Sequence, residues 1–301
     1  MALRVALVLG GGGARGFAHL GVLDVFYKEK VHFDFIVGCS MGAVIGAGYA
    51  WHQDVTSLKK LAEDSVKSEG LQEIEKFFKQ QPQNGNRLIF EKFENMIKKI
   101  NFLNRIRKKW LFESQNIRDT IQKIIPEDLQ FSDLKIPFAC VGVDIFTGER
   151  IIFREGNVLD AVLASSSIPG IFPPVKQGKR FIVDGGIVSQ LPVEEAKILG
   201  ADYVIAVDVG VSILSQELQD GIDILLQCNK IMSWWLTVRS KQSADFVIHP
   251  EVDGINWYQF SQFDFCIEKG KQKASEKISD LKRSLRKKKL KSFFSSFPFS
   301  Q

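Results

Sequence analysis

Nowhere in this chain of 301 residues do 18 apolar residues run together, so no segment is long enough to cross a bilayer as a helix. Cysteine is scarce: Cys39, Cys140, Cys228 and Cys266 stand far apart, with no C-x-x-C pair. That spacing excludes a disulfide framework or a cysteine-based zinc site, and is expected of reduced thiols in a reducing compartment. Only four histidines are present (His19, His32, His52 and His249). Met1–Leu9 has one Arg and a short apolar run before a stretch of glycines. A cleavable signal needs a longer apolar core and a small-residue cleavage site, so this segment is expected to be a strand. The location expected from these absences is the cytoplasm, with peripheral membrane attachment and export without a cleavable signal both left open. There is no internal repeat, and no Pro/Gly/Ser-rich linker divides the chain.

The composition is that of an ordinary globular protein, 45% apolar and 25% charged, apart from 24 Phe. The net charge of +5 is unevenly placed. Residues 85–112 hold eight Lys/Arg against Glu91 and Glu94, and residues 271–291 hold ten against Glu276 and Asp280. The two patches together carry +14, so the rest of the chain sums to −9. Such patches attract anionic surfaces. No nucleic-acid-reading motif accompanies them, so a nucleic-acid partner is not expected.

Short β-branched runs alternate with helical patterns along the chain. Strands are predicted at 4–9, 33–37, 138–145, 150–153, 181–183, 203–207 and 246–248, with helices between them, including 16–29, 41–51, 192–199 and 215–242. This alternation predicts an α/β fold, a sheet with helices on both faces. Residues 70–112 carry no strand signal, and Ile89, Phe93, Ile97 and Ile100 recur at helical spacing, which predicts an inserted helical cap. The expected organisation is one domain over 1–265, followed by a basic helix and a Ser/Phe-rich tail over 266–301.

Three motifs carry chemistry. Gly38-Cys39-Ser40-Met41-Gly42 is a G-x-S-x-G that directly follows an apolar strand and directly precedes a small-residue helix. A nucleophile elbow needs that context: the serine sits on a strained turn, and Gly38 and Gly42 leave room for it. Gly10 to Gly16 (GGGGARG) ends the first strand and opens a helix. Bare amides in such a loop can face the charge that develops on a carbonyl oxygen, which makes Gly11, Gly12 and Gly13 candidate oxyanion-hole residues, with Arg15 holding the loop or adding positive potential. The same stretch contains G-x-G-x-x-G, the dinucleotide fingerprint. That reading wants an acid at the end of the second strand, whereas Asp34 begins it. Asp184-Gly185-Gly186 closes a strand, and its carboxylate is either a base made accessible by the glycines or a turn cap. A conventional triad would add a histidine, and the order Ser40, Asp184 or Asp208, His249 is that of an α/β-hydrolase. Those enzymes build several strands before the elbow, and here one precedes it.

Taken together and in this order, the blocks Gly10–Gly21 (GGGGARGFAHLG), Gly38–Gly42 (GCSMG), Ala164–Pro174 (ASSSIPGIFPP) and DGG at 184–186 with LPVEEAKILGADYVIAVDV after it resemble the patatin-like phospholipase family. The likeness extends to the catalytic domain of neuropathy-target-esterase-type proteins. It implies a three-layer α/β/α domain around a mixed, mostly parallel sheet, with Ser40 as nucleophile, Asp184 as base and no catalytic histidine. It also implies an oxyanion hole at Gly12 and Gly13 near Arg15, an acyl-enzyme on Ser40, and no metal or other cofactor. The expected activity is hydrolysis of phospholipid or lysophospholipid esters; the alternatives are a Ser-Asp-His esterase on soluble esters and a non-catalytic lipid-binding protein. Ser189 and Gln190 stand where many members carry Asn. The basic, apolar stretches 85–112 and 271–297 are expected to touch a membrane surface, or else to be packing helices with solvated charged faces.

Overall fold

In a computed structural model, which describes residues 3–80, 110–210, 212–213 and 221–295, the first strand already shows how the layers are divided. Strand β1 (Val5–Leu9) is buried along its whole length. Its Val5, Leu7 and Leu9 face one apolar core, while Ala6 and Val8 face a second. The two-residue period of a strand thus separates two helical layers.

After β1 the chain makes a short 3₁₀ turn (Gly13–Phe17) and continues into α1 (Ala18–Lys28), β2 (Phe35–Gly38), α2 (Met41–His52), α3 (Val55–Val66) and α4 (Glu69–Lys79). Beyond residue 109 come α5 (Ser114–Gln122), β3 (Phe138–Asp144), β4 (Arg150–Phe153) and α6 (Val158–Ser165). Then follow β5 (Val175–Gln177), β6 (Arg180–Asp184), α7 (Gly186–Ser189), α8 (Val193–Ile198), β7 (Tyr203–Val207), α9 (Gly221–Ser243), β8 (Phe246–Ile248) and α10 (Phe263–Ser295). The sheet order is β5-β6-β3-β2-β1-β7-β8, with β4 paired to β3. Pairings from β3 through β2, β1 and β7 to β8 are parallel, and β4, β5 and β6 enter antiparallel. The mixed, mostly parallel three-layer sandwich expected from the sequence is therefore the fold. Strand β5 escaped notice because its three residues, Val-Lys-Gln, are exposed or half-exposed and show no apolar pattern.

Parallel order places the C-terminal ends of β1, β2 and β7 on one edge, so the glycine loop, the Ser40 turn and Asp208 emerge side by side. Asp184 reaches the same edge by another route. Strand β3 pairs Cys140 with Gly38 of β2 and, two residues on, Gly142 with Asp184 of β6. Ser40 lies two residues beyond Gly38, so the register brings both residues to one level.

The C-terminal helix departs from the expected boundary at 265/266. Helix α10 begins at Phe263 and lays Cys266, Ile267, Ala274 and Leu281 into the main core, continuous with the domain. Its basic residues partly face acids of the domain: Lys271 meets Asp24, Lys282 meets Glu29, and Lys288 meets Asp245. The tail beyond 295 lies outside the described residues. Of the expected cap, α4 forms the start, with Leu71 and Ile74 buried, and 81–109 lies outside the described residues.

Helices α1 and α10 touch backbone to backbone. A Cβ at Gly270 would lie 2.0 Å from the Ala18 carbonyl oxygen, and one at Gly21 would lie 2.0 Å from that of Ile267. Gly270→Val must push the helices apart, and overpacking of this kind costs about 1–3 kcal/mol. The expected outcome is a lowered midpoint in urea unfolding; an unchanged midpoint would show that α10 does not pack this way.

Candidate active site

Ser40 carries the backbone strain of the region. Its φ of 53° and ψ of −126° lie where a residue with a Cβ is costly to hold, about 1–3 kcal/mol. The surroundings enforce the conformation. The Ser40 amide donates to the Ser165 hydroxyl at 3.1 Å, and its carbonyl accepts from Ala43 at 2.8 Å as α2 begins. Gly42 lies so close to β1 that a Cβ there would stand 2.1 Å from the Leu9 oxygen, and one at Gly38 would stand 2.6 Å from Ala43 Cα. These contacts explain the glycines of the motif: the turn is folded against strand ends with no room for side chains.

Asp184, at the end of β6, is 6% exposed. Its Oδ1 accepts from the Gly186 amide at 2.7 Å and from the Cys39 thiol at 3.7 Å. Burial raises its pKa to about 6, against the lowering effect of hydrogen bonds from Ser40, Gly186 and Cys39. The serine and the carboxylate, 144 positions apart in sequence, are thus partners in space. Gly185 sits against β3, where a Cβ would meet the Val141 oxygen at 2.4 Å.

The glycine loop is held from several directions. The Gly10 amide donates to Val207 O at 3.0 Å, and the Gly10 carbonyl accepts from His19 Nε2 at 2.8 Å. His19 is wholly buried and its pKa is lowered by burial to about 4, so the ring is neutral and Nε2 carries the donated proton. Gln190 grips Gly11 twice: its carbonyl takes the Gly11 amide at 2.8 Å, and its Nε2 donates to Gly11 O at 2.9 Å. The Gln190 Oε1 in turn accepts from Ser233 of α9 at 2.6 Å. Ala14 donates to Trp257 O, and Arg15 N to Gly12 O. Of the amides of residues 10–15, those of Gly12 and Gly13 alone have no acceptor among the described residues. Gly13 lines the cavity that contains Ser40.

Two of the expected oxyanion residues leave the set. Gly11 has already given its single N–H to Gln190, although its Cα lies beside Ser40. Arg15 is buried and sends Nε to Val209 O and Nη1 to Ile255 O, both at 3.0 Å. Burial lowers its pKa to about 10. Its place is that of a clamp on the loop rather than of a donor to a bound carbonyl. Met41 joins the set: its amide, at the first position of α2 directly after Ser40, has no acceptor among the described residues. The position after the serine in G-x-S-x-G is the signal that would have found it.

Next to Ser40 opens an almost wholly apolar cavity, lined among others by Phe17, Val44, Ile74, Ile121, Phe172 and Trp257. The buried Ser166 hydroxyl in its wall has no hydrogen-bond partner among the described residues. His249 does not join Ser40. Its Nδ1 lies 2.8 Å from Asp208 O and 3.2 Å from Asp208 Oδ2, and Lys241 meets the same carboxylate at 2.9 Å. These three line a separate polar cavity. Asp34 donates its amide to Val5 O and takes the Val5 amide at the start of β1 and β2, the end of the sheet opposite the glycine loop. A ribose carboxylate cannot be supplied from there.

A profile of the family described as patatin-like phospholipase matches residues 7–197. The chain belongs to the patatin-like phospholipase family. It is 29% identical over 234 residues to human patatin-like phospholipase domain-containing protein 6, covering 77% of this chain and 15% of that one. The figures for the Drosophila melanogaster neuropathy target esterase sws are 29% over 234 residues, 77% and 14%. The chain therefore spans about a seventh of the length of these relatives. Among solved structures, VipD of Legionella pneumophila superposes with a TM-score of 0.52 at 14% identity, covering 93% of this chain and 67% of that one. This likeness supports the fold. The family match covers the blocks at Gly10–Gly21, Gly38–Gly42 and Ala164–Pro174 and the start of the block that opens at Asp184, since it spans residues 7–197.

The buried carboxylate has a measurable consequence. An ordinary aspartate in the unfolded chain has a pKa near 3.8, and Asp184 in the fold about 6. Between those values the native state binds the extra proton, so stability falls as pH rises, by about 3 kcal/mol in all. Asp184→Asn is expected to be more stable than wild type by up to about that amount at pH 8 and equal to it below pH 4. Urea unfolding at the two pH values checks this; a wild type that gains stability over this window relative to Asp184→Asn would refute a raised Asp184.

Proposed function

We propose that this protein is a serine lipid acyl hydrolase working through a Ser40–Asp184 dyad. The observation that carries the reading is the meeting, at one end of the sheet, of a strained serine, a buried carboxylate beside it, and two glycine amides without acceptors among the described residues.

In the proposed reaction Ser40 Oγ attacks the ester carbonyl carbon while its proton passes to the Asp184 carboxylate. The oxyanion is stabilised by the amides of Gly12, Gly13 and Met41, where each good donor is worth roughly 3–4 kcal/mol of barrier. The C–O bond to the alcohol breaks, and the alcohol leaves with the proton from Asp184. Water then attacks the acyl-serine, giving one proton to Asp184 and returning Ser40 as the fatty acid departs. In triads a third residue orients the base. Here that role falls to the Gly186 amide and the Cys39 thiol on Asp184 Oδ1. A pKa of about 6 leaves the carboxylate ionised at neutral pH yet more basic than a free aspartate. Hydrogen bonding therefore keeps the base charged, while burial keeps it basic.

The apolar cavity supports an acyl chain as the group bound, and the family supports a phospholipid or lysophospholipid as its source. Membrane contact belongs to this reading: exposed Leu290 at the end of α10 lies among exposed Lys287, Lys289 and Lys291. The expected contact through 85–112 falls almost wholly outside the described residues.

Ser40→Ala and Asp184→Asn are each expected to lower ester turnover by at least about a thousandfold with the fold retained. A fluorophosphonate probe should label wild type and spare Ser40→Ala. The kcat/KM of wild type is expected to rise through about pH 6 as Asp184 ionises. His249→Ala should leave turnover of a soluble ester unchanged; a loss as deep as that of Ser40→Ala would replace the dyad by a triad. Gln190→Ala, which removes the side-chain bond to Gly11 O and leaves the backbone bond to the Gly11 amide, is expected to lower kcat by roughly tenfold with little change in KM, since it loosens the glycine loop rather than the acyl cavity.

A further inference from the structure

We infer that Ser166 is a specificity residue of the same site, whose hydroxyl holds a second oxygen of the substrate: a hydroxyl beside the scissile ester, in the alcohol half. This role rests on the acyl-hydrolase reading for its chemistry, and on the Ser165–Ser167 segment for the residue.

Three serines follow one another at the end of α6, and two of their hydroxyls are used within the fold. Ser165 Oγ accepts from the Ser40 amide at 3.1 Å, and Ser167 Oγ donates to Leu163 O at 2.8 Å. Ser166 is buried as they are, yet its Oγ has no partner among the described residues. A buried hydroxyl has given up its bonds to water, so one left unpaired lowers stability relative to an apolar group of the same size. The other such atom among the described residues is His19 Nδ1, and His19 lines neither the acyl cavity nor the polar one. Ser166 does line the acyl cavity, together with Ser40.

The neighbours of Ser166 fix where its partner would lie. One residue earlier, Ser165 meets the Ser40 amide; one residue later, the Ser167 carbonyl accepts from the Asp184 amide at 2.9 Å. Ser166 therefore stands between the segment of the nucleophile and that of the base, at the reacting end of the cavity. The oxyanion donors lie elsewhere, on the glycine loop and at the start of α2. In the proposed reaction Asp184 hands its proton to the leaving alcohol, so the alcohol half of the ester lies on the Asp184 side. The wall beyond Ser166 continues with Ile168 and Phe172, which suit alkyl groups and offer no polar side chain.

The chemistry of the group selects what it recognises. A serine hydroxyl both donates and accepts, and a hydroxyl of the substrate can meet both capacities. A plain alkyl ester would leave Ser166 buried and unpaired. Sites built to pair with a hydroxyl discriminate against the analogue that lacks it, because the buried protein group is then left alone. The substrate that fits is thus an ester of a polyol, with a free hydroxyl on the carbon next to the one that carries the ester.

The test compares two soluble esters that differ by one hydroxyl, 2-hydroxypropyl butyrate and propyl butyrate, on the whole chain as wild type and as Ser166→Ala. Wild type is expected to favour the hydroxyl-bearing ester in kcat/KM by about tenfold or more, and Ser166→Ala to lose that preference. The ratio is the deciding quantity, because a merely structural role would move both rates together. Urea unfolding supplies a second measurement: with no internal bond to lose, Ser166→Ala is expected to keep or raise the midpoint. A ratio in Ser166→Ala equal to that of wild type would overturn the inference, whether both rates hold or both fall. So would a wild type without preference, or a lowered unfolding midpoint, since the hydroxyl would then already have a partner in the fold. Turnover of neither ester by wild type would defeat the hydrolase reading and the inference together, whereas an active wild type with an unmoved ratio defeats the inference alone.

Discussion

Strand β3 is the member on which the site depends. By pairing parallel with β2 at Gly38 and antiparallel with β6 at Asp184, it converts two distant segments into neighbours at one level. A slip of one residue in either pairing would turn Asp184 to the other face of the sheet, because side chains alternate with a period of two. The register is held by burial on both faces: all seven residues of β3 are buried, and Gly142 leaves room for Ile182 and Phe153 beside it. The antiparallel β6 ends at Asp184 opposite Gly142 and passes directly into the α7 turn.

Around that register the protein spends its polar groups on holding backbone. Neutral His19, Gln190, Arg15 and the Trp257 carbonyl all serve the glycine loop, and each does so from a different part of the chain. Buried polar groups of this kind are costly unless satisfied, and once satisfied they rigidify what they touch. What the network leaves unsatisfied is correspondingly informative: the amides of Gly12, Gly13 and Met41 remain, beside a serine in a strained turn. Donors fixed in advance need no reorganisation when charge appears on an oxygen. Strain and unmet hydrogen bonding concentrate in one place, as is expected where a fold is committed to chemistry rather than to its own stability.

Much of this was legible in the order of the residues. The strand–G-x-S-x-G–helix context identified Ser40 because a nucleophile elbow is a local structure, determined within a few residues of itself. The glycine loop and Asp184-Gly185-Gly186 were legible as motifs, and their joint order pointed to the family. Roles within the loop were less so. Gly11 and Arg15 share the composition of the oxyanion segment, but Gly11 is occupied by Gln190 and Arg15 by Val209 and Ile255, residues 179 to 240 positions away. His19, set among the apolar residues of α1, gave no sign of reaching back to Gly10.

The sequence by itself determined the alternation of strands and helices, the strained serine turn and the run of glycines after the first strand, since each depends on neighbours along the chain. Tertiary structure alone decided which carboxylate meets Ser40, which amides stay unbonded, that His249 pairs with Asp208 in another cavity, and that the C-terminal helix belongs to the core. The reason is physical. Hydrogen-bond capacity and burial are shared among residues that only the folded sheet brings together, and an N–H or a carboxylate oxygen claimed by a distant partner is no longer available to a substrate.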